Sequence, residues 1–122
     1  MKKILIVFFS CLFLFACKKD DDVSLFVGDW AGNYLGADDN GTFLFTVRDD
    51  GSVTGIANSL IFPATYNFVG TVSQTGDIIA TEGTSTSGVT FKGTFNGTTV
   101  KGTWTNTLNG LNYSGTWSGT RQ

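Results

Sequence analysis

Phe91-Lys92-Gly93-Thr94-Phe95, Val100-Lys101-Gly102-Thr103-Trp104 and Tyr113-Ser114-Gly115-Thr116-Trp117 repeat one five-residue unit: a large apolar residue, a variable one, glycine, threonine, a large apolar residue. Phe68-Val69-Gly70-Thr71-Val72 is a fourth copy. Side chains alternate faces along a strand, so both large residues and the glycine of each unit point one way, and the threonine points the other. Phe26, Gly28, Trp30, Gly32 and Tyr34 follow the same rule. One face of the implied sheet is therefore aromatic and glycine, and the other is mostly threonine.

Outward from these units the period-2 pattern holds over residues 25–122. Eight strands are expected, at Leu25 to Tyr34, Thr42 to Arg48, Ser52 to Asn58, Tyr66 to Ser73, Asp77 to Glu82, Val89 to Asn96, Thr98 to Thr105 and Leu111 to Thr120. Asp39-Asn40-Gly41, Asp50-Gly51, Thr75-Gly76, Asn96-Gly97 and Asn109-Gly110 supply the residues that tight hairpins require. Only Ser59 to Ala64, which contains the single proline, Pro63, leaves room for a short helical turn. Short turns make an antiparallel up-and-down meander. With no helix to cover its apolar face, an all-β sheet of about eight strands buries that face by curling into a small barrel, the eighth strand meeting the first. A two-sheet sandwich and a flatter, incomplete barrel are the competing architectures.

The chain has 122 residues, 15% of them charged and 14% aromatic, with sixteen glycines, no histidine and a formal charge of -2. That is one small domain. No basic field exists to hold nucleic acid. Without histidine, serine–histidine and cysteine–histidine catalysis and most zinc chemistry are excluded. A glycosidase needs two carboxylates across a cleft, but Glu82 is the sole glutamate, Asp29 and Asp77 fall near strand starts and the other aspartates fall on turns. The expectation is a non-enzymatic protein with no cofactor. Asp38-Asp39-Asn40-Gly41 and Asp49-Asp50-Gly51 carry enough oxygens to suggest calcium, yet turn geometry alone accounts for such composition, and no metal site is assigned. Asn40-Gly41-Thr42, Asn96-Gly97-Thr98 and Asn112-Tyr113-Ser114 have the form of glycosylation sequons, which turn and strand composition explains equally.

Residues 1–22 differ from the rest. Lys2 and Lys3 precede an apolar run from Ile4 to Ala16, which as a helix rises only about 20 Å, short of a ~30 Å hydrocarbon core. It reads as a signal sequence. An ordinary secretory signal and an uncleaved anchor are the alternatives. Leu14-Phe15-Ala16-Cys17 resembles the bacterial lipobox, and Lys18, Lys19, Asp20, Asp21 and Asp22 resemble the export signal of surface lipoproteins of the Bacteroidota. This resemblance implies cleavage before Cys17, a lipid on Cys17, and anchoring to the outer face of a Gram-negative outer membrane. The implied organisation is a lipoprotein signal peptide at 1–16, a lipidated acidic tether at 17–24 and a β-barrel domain at 25–122. Residues 18–122 then contain no thiol, so no disulfide forms there.

Gly28-Asp29-Trp30, followed by Phe45-Thr46-Val47-Arg48-Asp49-Asp50-Gly51-Ser52-Val53-Thr54-Gly55, is similar to the first hairpins of the avidin family, within the avidin-like and lipocalin-like barrels called calycins. That resemblance implies a barrel, and by extension a ligand inside it. Ala57 stands where the family places a biotin-binding tyrosine, although Ser59 falls where a second binding serine would, so biotin itself is not implied. Two functions follow. In one, the glycines leave a pocket walled by Trp30, Tyr34, Phe45, Tyr66, Trp104 and Trp117 that takes a small apolar molecule. In the other, the aromatics fill the barrel and the protein meets a protein, glycan or envelope component through its loops or an outer wall made greasy by Val27, Ala31, Leu35, Leu44, Ile56, Val69 and Ile79.

Overall fold

The computed structural model describes residues 23–83 and 87–122. Eight strands form a closed antiparallel barrel in sequence order: β1 Gly28–Gly36, β2 Gly41–Val47, β3 Ser52–Ser59, β4 Thr65–Val72, β5 Asp77–Gly83, β6 Gly88–Asn96, β7 Thr99–Asn106 and β8 Tyr113–Arg121. Closure is made where it was expected. Strand β8 pairs antiparallel with β1, Trp30 facing Arg121 and Tyr34 facing Trp117. Gly51, Gly76, Gly97 and Gly110 all take positive φ in the turns, which is why these positions punctuate the sequence.

Three local expectations are corrected. Residues Val23–Phe26 form a 3-10 turn rather than the start of the first strand. Its Phe26 ring packs at 4.9 Å from Phe95, and its carbonyl accepts from the Trp30 indole N–H at 2.9 Å. Arg121 then clamps this segment from the other end of the chain: its guanidinium donates to the carbonyls of Val27 and Leu25 and lies 4.6 Å over the Trp30 ring. This end of the barrel is thereby closed. The short helical turn falls at Leu108–Gly110, not in Ser59 to Ala64, and Asn109 takes φ 52 within it alongside the positive φ of Gly110. Finally, Gly41 lies in a strand, so the Asp38-Asp39-Asn40 stretch is a β1–β2 loop, of which Asp39 is buried.

The core is the barrel interior, with Trp30, Tyr34, Phe43, Phe45, Tyr66, Phe68, Phe91, Phe95, Trp104 and Trp117 all buried. Register explains how so many rings fit. At six cross-strand positions the large residue of one strand meets a glycine of the next: Gly32 with Phe43, Tyr34 with Gly41, Phe45 with Gly55, Gly55 with Phe68, Trp104 with Gly115, Gly102 with Trp117. Between β7 and β8 two copies of the five-residue unit pair with this offset, whereas between β6 and β7 they pair symmetrically, Gly93 facing Gly102 and Phe91 facing Trp104.

Candidate functional site

Three regions have the chemistry to act: the interior, the barrel end opposite the Val23–Phe26 turn, and the outer wall. The six residues expected to wall a pocket are all brought together in the interior, but they spend their surface on one another. Tyr34 meets Trp104 edge-on at 5.4 Å, Trp30 meets Phe95 at 4.7 Å, and Trp117 meets Phe43 at 5.4 Å. The cavity among Phe43, Phe45, Phe68, Ile78, Ala80, Phe91 and Trp117 measures about 10 Å³ and is wholly apolar in its side chains. A water needs roughly 10–15 Å³ and two or more polar partners, so even water gains little there, and this part of the interior is taken up by rings.

The glycines are the reason. A Cβ on Gly93 would lie 2.5 Å from the Trp117 ring, and one on Gly115 would lie 2.6 Å from Trp104 Nε1 and 1.8 Å from the Leu35 carbonyl. Each indole thus packs against bare backbone and hydrogen-bonds into the wall. Trp117 Nε1 donates to the carbonyls of Lys92 and Thr103 at 3.1 and 3.0 Å, and Trp104 Nε1 to that of Leu35 at 3.0 Å. Volume removed at the glycines is volume occupied by the tryptophans.

At the far end of the barrel a polar cluster sits on top of this core, and sequence reading missed it. Asp39, at 2% exposure, is the most deeply buried charged side chain among the described residues. Its carboxylate accepts from Ser59 at 2.6 Å, Tyr34 at 3.3 Å and Tyr66 at 3.5 Å. Ser59 Oγ in turn accepts from the backbone N–H groups of Ile61 and Phe62 at 3.0 and 2.9 Å. Burial first, and the Asp39 charge second, push the Tyr34 and Tyr66 phenols above their ordinary value. Asp38 beside it is exposed, and Asp50 is a turn residue whose hydrogen bonds from Ser52 hold its carboxyl below the usual range. Among the described residues no group of three or more metal-ligating side chains gathers. The signal available in sequence was the inward phase of Tyr34 and Tyr66 at one barrel end, which leaves two hydroxyls needing an acceptor.

The loop over this cluster exposes Leu60, Ile61 and Phe62, and the Phe62 ring stacks on Tyr113 at 6.4 Å. On the outer wall Leu35, Leu44, Val69 and Ile79 are 61%, 48%, 62% and 45% exposed. Ala31, Leu44 and Ile56 are direct cross-strand neighbours, Val69 is diagonal to Ile56, and Ile79 diagonal to Val69. They make one apolar stripe over five strands. Leu35 stands apart, beside Thr116 in an outer groove of about 470 Å³ that Lys101 and Thr103 also line. Outward positions of β6 to β8 are threonine, serine, lysine and asparagine. Cys17 and Lys18, Lys19, Asp20, Asp21 and Asp22 lie outside the described residues. Comparison with protein-family models, with curated proteins and with solved structures finds no match to the chain.

Proposed function

We propose that the protein is a non-enzymatic, lipid-anchored interaction module on the outer face of a Gram-negative outer membrane, and that it engages its partner from outside the barrel. The observation carrying this reading is the packing of the interior: the cavity among Phe43, Phe45, Phe68, Phe91 and Trp117 measures about 10 Å³, which favours a binding surface on the wall or at the loops. The apolar stripe of Leu44, Ile56, Val69 and Ile79, with Leu60 to Phe62 on the loop joining its two middle strands, is the surface that supports it. Contiguous exposed apolar surface of this kind usually marks an interface. Polarity supports it too. The chain enters at Val23, beneath the end that Arg121 closes, and the six residues 17–22 span at most about 20 Å. A lipid on Cys17 would hold that end toward the bilayer and turn the Leu60 to Phe62 loop outward.

Two measurements test this. Cys17→Ala should move the protein from the membrane to the soluble fraction and abolish its removal by external protease from the intact-cell surface; unchanged fractionation ends the anchoring claim. A photo-crosslinking residue at position 44, 69 or 62 should give a discrete adduct on intact cells, and one at 103 or 118 should not. Equal labelling at all five positions would remove the stripe from the account.

A further inference from the structure

Asp39 is a buried carboxylate facing hydroxyls only; no cation pairs with it among the described residues. Buried charges are ordinarily paired or metal-bound, so a carboxylate held by three neutral donors calls for an explanation. The donors belong to the barrel: Tyr34 on β1, Ser59 at the end of β3 and Tyr66 on β4. The carboxylate belongs to the four-residue loop 37–40, whose Ala37 and Asp38 are exposed. Host and guest are joined by one loop-to-loop backbone bond, from the Leu60 N–H to the Asn40 carbonyl at 2.8 Å, which movement of the loop would break.

The distances say how well the guest fits. Ser59 at 2.6 Å is within the range of a charge-assisted O–H···O bond, whereas Tyr34 at 3.3 Å and Tyr66 at 3.5 Å exceed the ~3.0 Å limit of a good one. The loop delivers one carboxylate oxygen to the serine and leaves the other short of both phenols. A carboxylate not tied to the loop has no such restraint. Around the same end, Leu60, Ile61, Phe62 and Leu111 are exposed and offer apolar contact to whatever body carries it.

We propose that Tyr34, Ser59 and Tyr66 form a receptor for one carboxylate, which the chain fills in cis with Asp39 and which accepts a small apolar monocarboxylate in its place when loop 37–40 moves aside. The rings below leave the body of the ligand at the rim, against Leu60 to Phe62. A loop-borne group competes at an effective concentration of the order of millimolar or above, so the wild-type site binds such a ligand more weakly than a site whose own carboxylate has been deleted.

The test is rescue. Asp39→Gly and Asp39→Ser are unfolded thermally in sodium benzoate, sodium acetate and sodium chloride at matched ionic strength. Both variants should melt below wild type in chloride. Benzoate, and acetate more weakly, should raise their melting temperatures saturably at millimolar concentration, with at least a tenfold weaker effect on wild type. Adding Tyr34→Phe and Tyr66→Phe should remove the rise. A rise no larger than chloride gives, a rise that survives the two phenylalanines, or variants that fail to fold even in benzoate would each overturn the proposal.

Discussion

Gly55→Ala separates two meanings of an inward glycine by the sign of its effect. Gly55 is the cross-strand neighbour of both Phe45 and Phe68. A Cβ there would lie 2.6 Å from Phe45 Cβ and 2.6 and 2.7 Å from Phe68 Cζ and Cε1, with no backbone atom among these contacts. Carbon atoms rest at roughly 3.5–4.0 Å, so the Phe68 ring and the Phe45 Cβ, which is fixed to its strand, would have to give by about 1 Å beside a space of about 10 Å³. Overpacking of that size costs about 1–3 kcal/mol. Were the glycine instead facing open volume, alanine at this ordinary backbone conformation would stabilise by about 0.4–1 kcal/mol through the unfolded state. Chemical denaturation of wild type, Gly55→Ala, Phe68→Ala and the double variant completes a cycle. Phe68→Ala alone should cost about 3–5 kcal/mol, and the double variant should cost less than the sum by about 1 kcal/mol or more, since the methyl no longer meets a ring. A neutral or stabilising Gly55→Ala, or strict additivity, would refute the reading of glycine as a seat for its aromatic partner.

Arg121→Ala should destabilise by about 2–4 kcal/mol, from charge-assisted bonds to the Val27 and Leu25 carbonyls and the contact over Trp30. Arg121→Lys should recover less than half, because an ammonium lacks the planar fork that reaches both carbonyls; equal stability of the two variants in denaturant melts would contradict the clamp. Stability should also fall as pH rises above about 10, where unfolded tyrosine ionises while Tyr34 and Tyr66 in the folded protein stay protonated to higher pH. The folded state then binds more protons than the unfolded one, so the slope is negative. Tyr34→Phe should flatten it, and an unchanged slope between pH 10 and 12 in that variant would contradict the assignment.

Sequence legibility follows from which interactions are local or periodic. The eight strands and their closure could be read because alternation and turn glycines are short-range signals, and the outward set of Leu44, Val69 and Ile79 follows from the same phase. Glycine at alternate inward positions was equally visible, but its consequence was not. Whether Gly102 and Gly115 open a pocket or seat Trp117 and Trp104 depends on cross-strand register, and a two-residue slide would put these two glycines opposite one another, as Gly93 and Gly102 are across β6 and β7. Asp39 was hidden for a related reason. A turn-like composition explains an aspartate without asking where its side chain goes, and its partners lie 5, 20 and 27 residues away. Phe26 was placed correctly as core but on a strand, since period-2 phase cannot tell a strand from a 3-10 turn over four residues.

The central claim is that the rings leave the barrel no interior to offer. Xenon, an apolar atom that enters dry cavities of about 150 Å³ lined by aliphatic and aromatic side chains, tests it most directly in a crystal of residues 17–122 held under xenon pressure. No xenon density is expected among Trp30, Phe45, Phe68, Phe91 and Trp117, with any bound atoms confined to the outer stripe or the Leu60 to Phe62 loop. A well-occupied xenon site inside the barrel would contradict it.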